Sequence, residues 1–397
     1  MNAGPADALH DKHRLPEIDR LRGLVMALMA LDHIRDFFDA DTLRFSPTDL
    51  DHTYPFLFLT RFVTHFCAPT FTLLAGVGAY LYGEKVKDAG ALSRFLATRG
   101  LWLIFLDAFI VSPLWSLGFG RIELGTLWAI GCGLLALAGL SLLPLRATLG
   151  VGLAIIFGHN LLDGVHAADL GAFGPWWSLL HDRGPLPLGV PGSVLYPALP
   201  WIGVAALGFG MGPLFLESKK RRDHALHLGG AAALVLFVLL RASNIYGDPR
   251  PWSAQSDALF TLLSFLNVTK YPPSLLYLLV TLGGAALALP ALERMGKGLL
   301  GRLGGALDLF GRTPLFFYVL HLYLGAAAAL ALALARGYTL ADIGAFVKSS
   351  APPAEFGVGL LGAYVVWIAA VFVLYPACRW FAGVKRRRRD LWWLSYL

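Results

Sequence analysis

Residues 17–38 read EIDRLRGLVMALMALDHIRDFF, an apolar helical pattern that carries ionisable residues at both ends. The residues spaced three and four apart share one helix face, and they are Asp19, Arg22, Met26, Met29, His33 and Asp36. An ionisable side chain facing lipid costs roughly 2.5 kcal/mol or more, so this face is expected to point into a helix bundle. The alternative is that the helix ends near Leu31 and the charges lie at the membrane interface.

The composition indicates a membrane protein. Of 397 residues, 56% are hydrophobic and 15% are charged, whereas about a quarter of a soluble domain is charged. The mean hydropathy is +0.61. The three cysteines, Cys67, Cys132 and Cys378, are widely spaced and predict neither a disulfide framework nor a metal site. The first apolar segment lacks an A-x-A cleavage pattern, so we interpret it as a retained helix rather than a signal peptide.

The predicted fold class is all-α, a polytopic membrane protein of about ten transmembrane helices with both termini cytoplasmic. The expected spans are 21–39, 56–83, 94–118, 122–143, 146–164, 193–216, 224–242, 270–291, 312–335 and 357–381. A further apolar stretch, Ala254–Val268, is amphipathic and is expected to lie at the interface.

Basic residues set the predicted orientation. With the N-terminus inside, most of the 33 lysines and arginines fall in inner loops, among them Lys12, Arg14, Lys297 and Arg389. The net charge of +7 therefore requires no nucleic acid partner. The basic runs VKRRRRD (384–390) and ESKKRRDH (217–224) are expected to contact anionic lipid, although the second would also attract a polyphosphate-bearing cofactor. We divide the chain into a cytoplasmic segment (1–20), one transmembrane domain (21–384) and a basic, aromatic cytoplasmic tail (385–397).

The first two helices carry the main candidate residues. His33 follows Arg22 by almost three helical turns, and Asp36 is placed to hold the ring tautomer of His33. Arg61 and His65 share a face of the second helix, and the antiparallel geometry puts His33 and His65 at similar depth. Either histidine alone is more often structural, but together they favour a site.

Other candidates come from the flanks and from later helices. Tyr318 and His321 lie at i and i+3 in the ninth predicted span, and Lys270 and Tyr271 lie at the outer end of the eighth. The lower-ranked candidates are His52 in a polar loop, Asp32 and Arg35 beside the main face, and Asp107 as a possible partner of Arg61 or Arg99. The functional and structural interpretations are close to equally supported for Tyr318, His321, Lys270 and Tyr271, and His52 ranks below His33 and His65.

The chain contains no Walker A loop, dinucleotide fingerprint, H-E-x-x-H zinc pattern or G-x-S-x-G motif, and we expect no metal site. A buried imidazole backed by a carboxylate suits proton abstraction from an alcohol or amine during acyl transfer. Arginines toward the inner surface suit phosphates, such as those of coenzyme A. The same His, Asp and Arg residues would also suit a proton relay in a transporter. A non-catalytic scaffold is the third hypothesis, and it leaves the intramembrane charges unexplained.

The segments RLPEIDRLRGLVMALMALDHIRDFF (14–38) and LTRFVTHFCAPTFTLLAGVGAYL (59–81) resemble a bacterial membrane family of unknown function. That family is grouped with the catalytic domain of heparan-alpha-glucosaminide N-acetyltransferase. The likeness extends over almost the whole chain through residues 196–212, 265–283, 311–325 and 382–397. The lysosomal enzyme has an asparagine where His33 stands, and its own catalytic histidine falls near His52.

A wider likeness is to membrane acyltransferases that O-acetylate bacterial surface glycans, through Asp19, Leu21, Arg22 and His33. It implies His33 as the base and Arg22 as a donor-binding or structural residue. The resemblance implies an acyltransferase of the bacterial inner membrane, with acetyl-CoA or another acyl-CoA as co-substrate and no permanently bound cofactor. The expected acceptor is a hydroxyl or amine of an envelope glycan or glycolipid, with Asp36 and His65 as further catalytic residues. Arg61, Tyr318, His321, Lys270 and Tyr271 are the expected substrate- or donor-binding residues.

Overall fold

The computed structural model describes residues 15–115, 120–295, 298–349, 356–388, 390–391 and 394, without the side chains of 347–349. The predicted inner basic residues Lys12, Arg14, Lys297 and Arg389 therefore lie outside the described residues, as do most of segment 1–20 and much of the C-terminal tail.

The described residues form sixteen α-helices. The first eight are α1 (Pro16–Phe38), α2 (Pro55–Thr64), α3 (Cys67–Val86), α4 (Ala89–Leu106), α5 (Ser112–Trp115), α6 (Thr126–Leu140), α7 (Leu145–Gly158) and α8 (Gly174–Leu180). The second eight are α9 (Ala198–Gly210), α10 (Lys219–Ser243), α11 (Ala258–Leu266), α12 (Leu275–Glu293), α13 (Gly298–Arg312), α14 (Pro314–Ala335), α15 (Leu340–Ser349) and α16 (Leu360–Arg387).

Three short strands form one small sheet: β1 (Ile122–Leu124), β2 (Gly184–Pro185) and β3 (Gly192–Val194). The strand β3 lies in the middle, parallel to β1 and antiparallel to β2. Leu124 pairs with Val194, which in turn pairs with Gly184. The sheet fixes the long connection between α8 and α9 against the start of α6.

Helix α1 lies at the centre of the molecule and packs against α2, α3, α12, α13, α14 and α16. Its contact with α13 is a backbone contact, because a Cβ added to Gly23 would lie 1.9 Å from the Leu307 carbonyl oxygen. A Cβ on Gly311 would lie 1.8 Å from the Asp19 oxygen. Glycines at such crossings let two helices approach closely, as is common in membrane bundles.

Eight helical segments within the described residues are long and apolar enough to cross a membrane. They are 55–86, 89–115, 145–162, 198–216, 219–243, 275–293, 314–335 and 360–387. Large apolar side chains remain exposed on the outward faces of α10 and α16, such as Leu239 (62%) and Phe372 (75%), as expected for contact with lipid. The protein is therefore an all-α polytopic membrane protein.

The number of crossings stays a prediction. Of the ten predicted spans, the first corresponds to α1, which has 23 residues but carries charged residues at both ends and is not one of the eight segments. The fourth corresponds to α6, which has only 15 residues. The predicted span 56–83 is a pair of helices, α2 and α3, that meet at His65 and Phe66. The connection between the eighth and ninth spans contains the amphipathic helix α13, which the hydropathy pattern did not predict. The cytoplasmic location of both termini likewise stays a prediction.

Candidate functional site

Asp32, near the end of α1, is surrounded by donors from three parts of the chain. Its carboxylate accepts hydrogen bonds from Arg35 Nη2 at 2.7 Å and from Thr64 Oγ1 at 2.6 Å. Arg61 Nη1 donates to both carboxylate oxygens at 2.7 Å, and Lys270 Nζ lies 3.8 Å from Oδ2. Asp32 thus joins α1 to α2 and to the segment before α12, and removal of such a buried partner is strongly destabilising.

Arg35 connects Asp32 to Asp36. Its Nη2 also donates to Asp36 Oδ1 at 2.7 Å, while its Nε and Nη1 are buried with no hydrogen-bond partner among the described residues. We name Asp32, Arg35, Asp36, Arg61 and Lys270 the charge cluster. The charge cluster holds three cations and two carboxylates, so it carries a net positive charge.

Two tyrosines extend the charge cluster toward the end of the bundle where α12 begins. Arg61 Nη2 donates to the Tyr271 hydroxyl at 3.3 Å, and that hydroxyl lies 3.4 Å from the Tyr196 hydroxyl. The guanidinium of Arg183 and the ammonium of Lys270 each lie 5.3 Å from the centre of the Tyr271 ring. Cations over an aromatic ring are attracted to its face.

Helix α12 is the element that places Lys270 and Tyr271. Ser274 caps its N-terminus by accepting a hydrogen bond from the backbone N–H of Tyr277 at 3.0 Å. The same hydroxyl donates to Asp248 Oδ2 at 2.6 Å, and Asp248 also accepts from Thr269 N–H at 2.8 Å. The residues between Thr269 and Ser274 are therefore held at both ends.

His33 forms a pair with His321 of α14. His33 Nδ1 lies 2.7 Å from His321 Nε2, and His321 Nδ1 lies 3.0 Å from the carbonyl oxygen of Phe317. A carbonyl only accepts, so in the neutral pair His321 Nδ1 carries a hydrogen and its Nε2 presents a lone pair. His33 Nδ1 must then donate to His321 Nε2, which leaves the lone pair of His33 on Nε2. That nitrogen has the electronic character of a general base.

Aromatic side chains hold the two imidazoles in place. The rings of His33 and His321 are stacked, with centroids 5.0 Å apart and an interplanar angle of 10°. Trp115 of α5 and Tyr318 of α14 contact the His33 ring edge-on, at centroid distances of 5.6 and 6.3 Å. His321 is 1% exposed, and Tyr318 is also buried.

The predicted pairing of His33 with Asp36 is wrong. Asp36 accepts its hydrogen bond from Arg35, and the Nδ1 atom of His33 contacts His321 instead. The helical spacing allows His33 and Asp36 to meet, but the adjacent guanidinium offers the carboxylate a charge-assisted hydrogen bond, which is stronger than one from a neutral imidazole.

His65 lies at the junction of α2 and α3 and is 3% exposed. Its ring packs against Phe62 and Tyr277, and its backbone carbonyl accepts a hydrogen bond from the Tyr277 hydroxyl at 2.7 Å. His65 Nδ1 has no hydrogen-bond partner among the described residues. The histidines His33 and His65 therefore contact different neighbours rather than forming one pair.

The remaining lower-ranked candidates, His52 and Asp107, have hydrogen-bond partners outside the histidine pair. His52 is exposed in the loop after α1 and its Nδ1 lies 2.8 Å from Asp49 Oδ2; this hydrogen bond lowers the pKa of the Asp49 carboxyl from its ordinary value. The predicted pairing of Asp107 with Arg61 or Arg99 is wrong for Arg61, which binds Asp32. Asp107 accepts the Gly125 backbone N–H at 2.5 Å, at the start of α6, where a carboxylate satisfies free helix N–H groups.

A cavity of about 390 Å³ lies between α1, α3, α4, α6 and α14. Arg22 and Arg99 supply its guanidinium groups, and most of its other lining residues are apolar, including Met26 and Met29 of the predicted α1 face. Tyr318, whose ring contacts His33, is also part of its lining. Arg22 Nη1 donates to Asp19 Oδ1 and to the Gly311 carbonyl, each at 3.1 Å. The cavity thus has cationic groups in its wall and extends to a neighbour of the histidine pair.

Two members of this site were not predicted as site residues, although Arg99 was considered as a partner of Asp107. Trp115 and Arg99 both come from the third predicted span, where no pattern distinguishes them from ordinary interfacial residues. The contact between His33 and His321 joins residues 288 positions apart, and single-sequence spacing carries no signal for such a pair.

Comparison with known proteins assigns the family. No curated protein matches the chain. A family model described as heparan-alpha-glucosaminide N-acetyltransferase, catalytic, matches residues 14–246, more than half of the chain and the part that carries His33 and the cavity arginines. The protein belongs to the heparan-alpha-glucosaminide N-acetyltransferase catalytic-domain family.

Proposed function

We propose that this multi-pass membrane protein is an acyltransferase of the bacterial inner membrane, with acetyl-CoA or another acyl-CoA as the donor. The acceptor is a hydroxyl or amine of an envelope glycan or glycolipid. The observation that carries the proposal is the pair of His33 and His321, whose hydrogen bonding leaves a basic nitrogen on His33.

The chemistry follows from that nitrogen. His33 Nε2 takes the proton of the acceptor hydroxyl or amine as the acceptor heteroatom bonds to the thioester carbonyl carbon. The carbon–sulfur bond then breaks, and the proton passes from His33 to the departing sulfur to give free coenzyme A. His321 positions the His33 ring through the hydrogen bond at Nδ1.

The cavity suits the donor. Guanidinium groups bind phosphate oxygens through two parallel hydrogen bonds, and Arg22 and Arg99 lie in its wall. The apolar lining suits the acyl-bearing arm of the donor. Tyr318 lies between this space and His33, where it is placed to orient the thioester.

The charge cluster suits the acceptor side. Lys270 and Tyr271 lie where α12 begins, at the end of the bundle where α1 ends. The net positive charge of the cluster favours an acceptor with anionic groups, and Arg61 is held by Asp32 in position to bind it. In this arrangement the two substrates approach His33 from opposite ends of α1.

The test is transfer of a labelled acetyl group from acetyl-CoA in proteoliposomes that contain envelope glycolipid extract. The His33→Ala protein is expected to transfer about 10²- to 10⁴-fold more slowly than the wild type. His166→Ala, which removes an exposed histidine, is the matched control and should retain the wild-type rate. His52→Ala tests the alternative base and is expected to keep that rate as well. A His33→Ala protein that transfers at the wild-type rate would refute the mechanism. Loss of transfer in His52→Ala alone would identify His52, in the loop after α1, as the base.

A binding measurement needs no acceptor. Acetyl-CoA added to the detergent-solubilised protein should raise its melting temperature in a saturable manner, because a ligand that binds only the folded state stabilises it. The Arg99→Ala protein should need a higher concentration for the same shift.

The alternative proposal is a proton-coupled transporter that uses His33, Asp36, His65 and Arg61 as a relay. It predicts substrate flux driven by a pH gradient without dependence on acyl-CoA. The observed contacts favour it less, because His33 and His65 bind different partners and Arg61 does not release its proton at physiological pH.

A further inference from the structure

Three side chains with metal-binding atoms meet at the end of α7. His159 and Asp163 follow α7 on consecutive turns, and His181 follows α8. One ligand atom from each of the three lies within 4.8 Å of the others. Both histidines are 2% exposed, and the Asp163 side chain is 21% exposed. We name these three residues the His–Asp–His cluster.

The ring nitrogens of His159 are buried without hydrogen-bond partners among the described residues. His181 Nδ1 also has no such partner there. A buried polar group without a partner costs about 1–3 kcal/mol. Such groups in native proteins usually bind water, an ion or a ligand. A buried imidazole with no partner at either nitrogen, beside a second imidazole and a carboxylate, points to a cation that would bind one of the His159 nitrogens.

We propose that the His–Asp–His cluster binds a divalent transition-metal ion, with Zn²⁺ as the favoured ion. Zinc binds imidazole nitrogen and carboxylate oxygen at about 2.0–2.2 Å in tetrahedral geometry, which separates neighbouring ligand atoms by roughly 3.3 Å. His181 Nε2 and Asp163 Oδ1 lie 3.1 Å apart, close to that separation. Three protein ligands leave the fourth position open to water.

The donor set selects the class of metal. Two imidazoles favour zinc and its neighbours over Mg²⁺ and Ca²⁺, which prefer oxygen ligands. A ligating carboxylate is usually held by an outer hydrogen bond, and Asn160 Nδ2 donates to Asp163 Oδ2 at 2.8 Å. No metal site was expected from the sequence, because it contains neither an H-E-x-x-H motif nor closely spaced cysteines. The available signal was the four-residue spacing of His159 and Asp163.

The proposed ion would join the segment after α7 to the segment after α8, and a neighbouring hydrogen bond links the first of these segments to α12. Asn160 Oδ1 accepts a hydrogen bond from the Leu275 backbone N–H at 2.8 Å, which ties the end of α7 to the start of α12. His181 is two residues before Arg183, whose guanidinium lies over Tyr271. The metal would therefore fix the connection after α8 against the segment that carries Lys270 and Tyr271. This role does not depend on the acyltransferase proposal.

The experiment uses the full-length protein in detergent, stripped with a chelator and then titrated with Co²⁺ as a visible probe and with Zn²⁺ as its competitor. We expect the wild type to bind one Co²⁺ per chain with tetrahedral absorption bands, to release it to Zn²⁺, and to melt at a higher temperature with Zn²⁺ present. The His181→Ala and Asp163→Ala proteins should bind more than about 100-fold more weakly, beyond the effect of an outer-shell change.

The control is His166→Ala, which removes an exposed histidine 3.9 Å from Asp182 in the same connection and should bind Co²⁺ as the wild type does. Because a ligand variant can fail to fold, the titration of the wild type also provides a refutation that needs no variant. Uptake of less than one tightly bound ion per chain by the stripped wild type would overturn the proposal. Equal binding by folded His181→Ala and His166→Ala would do the same, since it would place the ion elsewhere.

Discussion

Replacement of Asp32 by asparagine should destabilise the protein without changing the size of the side chain. The carboxylate accepts four hydrogen bonds, three of them from arginines. An asparagine oxygen accepts at most two, so about two charge-assisted bonds of about 1.5–3 kcal/mol each are lost. Arg61 would also lose its only carboxylate partner among the described residues. The expected loss of unfolding free energy is about 3–5 kcal/mol, the range for a broken buried ion pair.

The melting midpoint reports this loss. With an unfolding entropy of about 2.1 cal/mol/K per residue over 397 residues, each kcal/mol corresponds to roughly 1.2 °C, so Asp32→Asn should melt about 4–6 °C lower. A thiol-reactive fluorescent dye is a suitable assay because Cys67 and Cys378 are buried until the protein unfolds. The exposed Asp169→Asn is the matched control and should change stability by less than about 0.5 kcal/mol. The smallest meaningful loss of unfolding free energy is taken as ~1 kcal/mol. A melting midpoint for Asp32→Asn within 1 °C of that of the control would therefore refute the reasoning.

Three further predictions concern the histidine pair, the cavity and the contact of α1 with α13. His321→Ala should lower kcat by about 10- to 100-fold, because about 1–3 kcal/mol of hydrogen bonding is lost. His321→Gln should recover part of the rate, because its amide oxygen still accepts from His33 Nδ1. Equal rates for the two variants would contradict the tautomer assignment. Arg99→Ala should raise KM for acyl-CoA with kcat nearly unchanged, as expected for loss of uniform binding, and a fall in kcat alone would place Arg99 outside the donor site. Gly311→Ala should lower stability by about 1–3 kcal/mol, because its Cβ would meet the Asp19 backbone, whereas Gly305→Ala, with open space around it, should be tolerated in the same melting assay.

Much of the helical architecture follows from the sequence because long apolar runs have few other stable states in lipid. The helices α10, α12, α14 and α16 illustrate this, since each overlaps a predicted span. Helix α13 was missed because it is amphipathic and packs through Gly304 and Gly311 along α1 rather than presenting an apolar surface on every side.

The candidate site was predictable only in part. The face of α1 that carries Arg22 and the two methionines does line the cavity, as helical periodicity indicates. The ion-pair partners on this helix were not predictable. Both Asp32 and Asp36 lie within one turn of His33, and their actual partners are Arg35 and Arg61, whose positions depend on the packing of α1 against α2. The bond from His33 to His321 depends on the packing of α1 against α14, which local sequence does not encode.

The hydrogen bond from His321 to the Phe317 carbonyl has a consequence for the direction of proton movement. That carbonyl cannot carry a proton onward, so among the described residues the chain of hydrogen bonds from His33 ends within α14. A proton accepted at His33 Nε2 can be shared across the two rings, but it can leave only by the atom through which it entered. The pair is therefore suited to accept a proton and return it at the same atom, as the proposed transfer between two bound substrates requires, and this arrangement favours the acyltransferase proposal over a proton relay across the membrane.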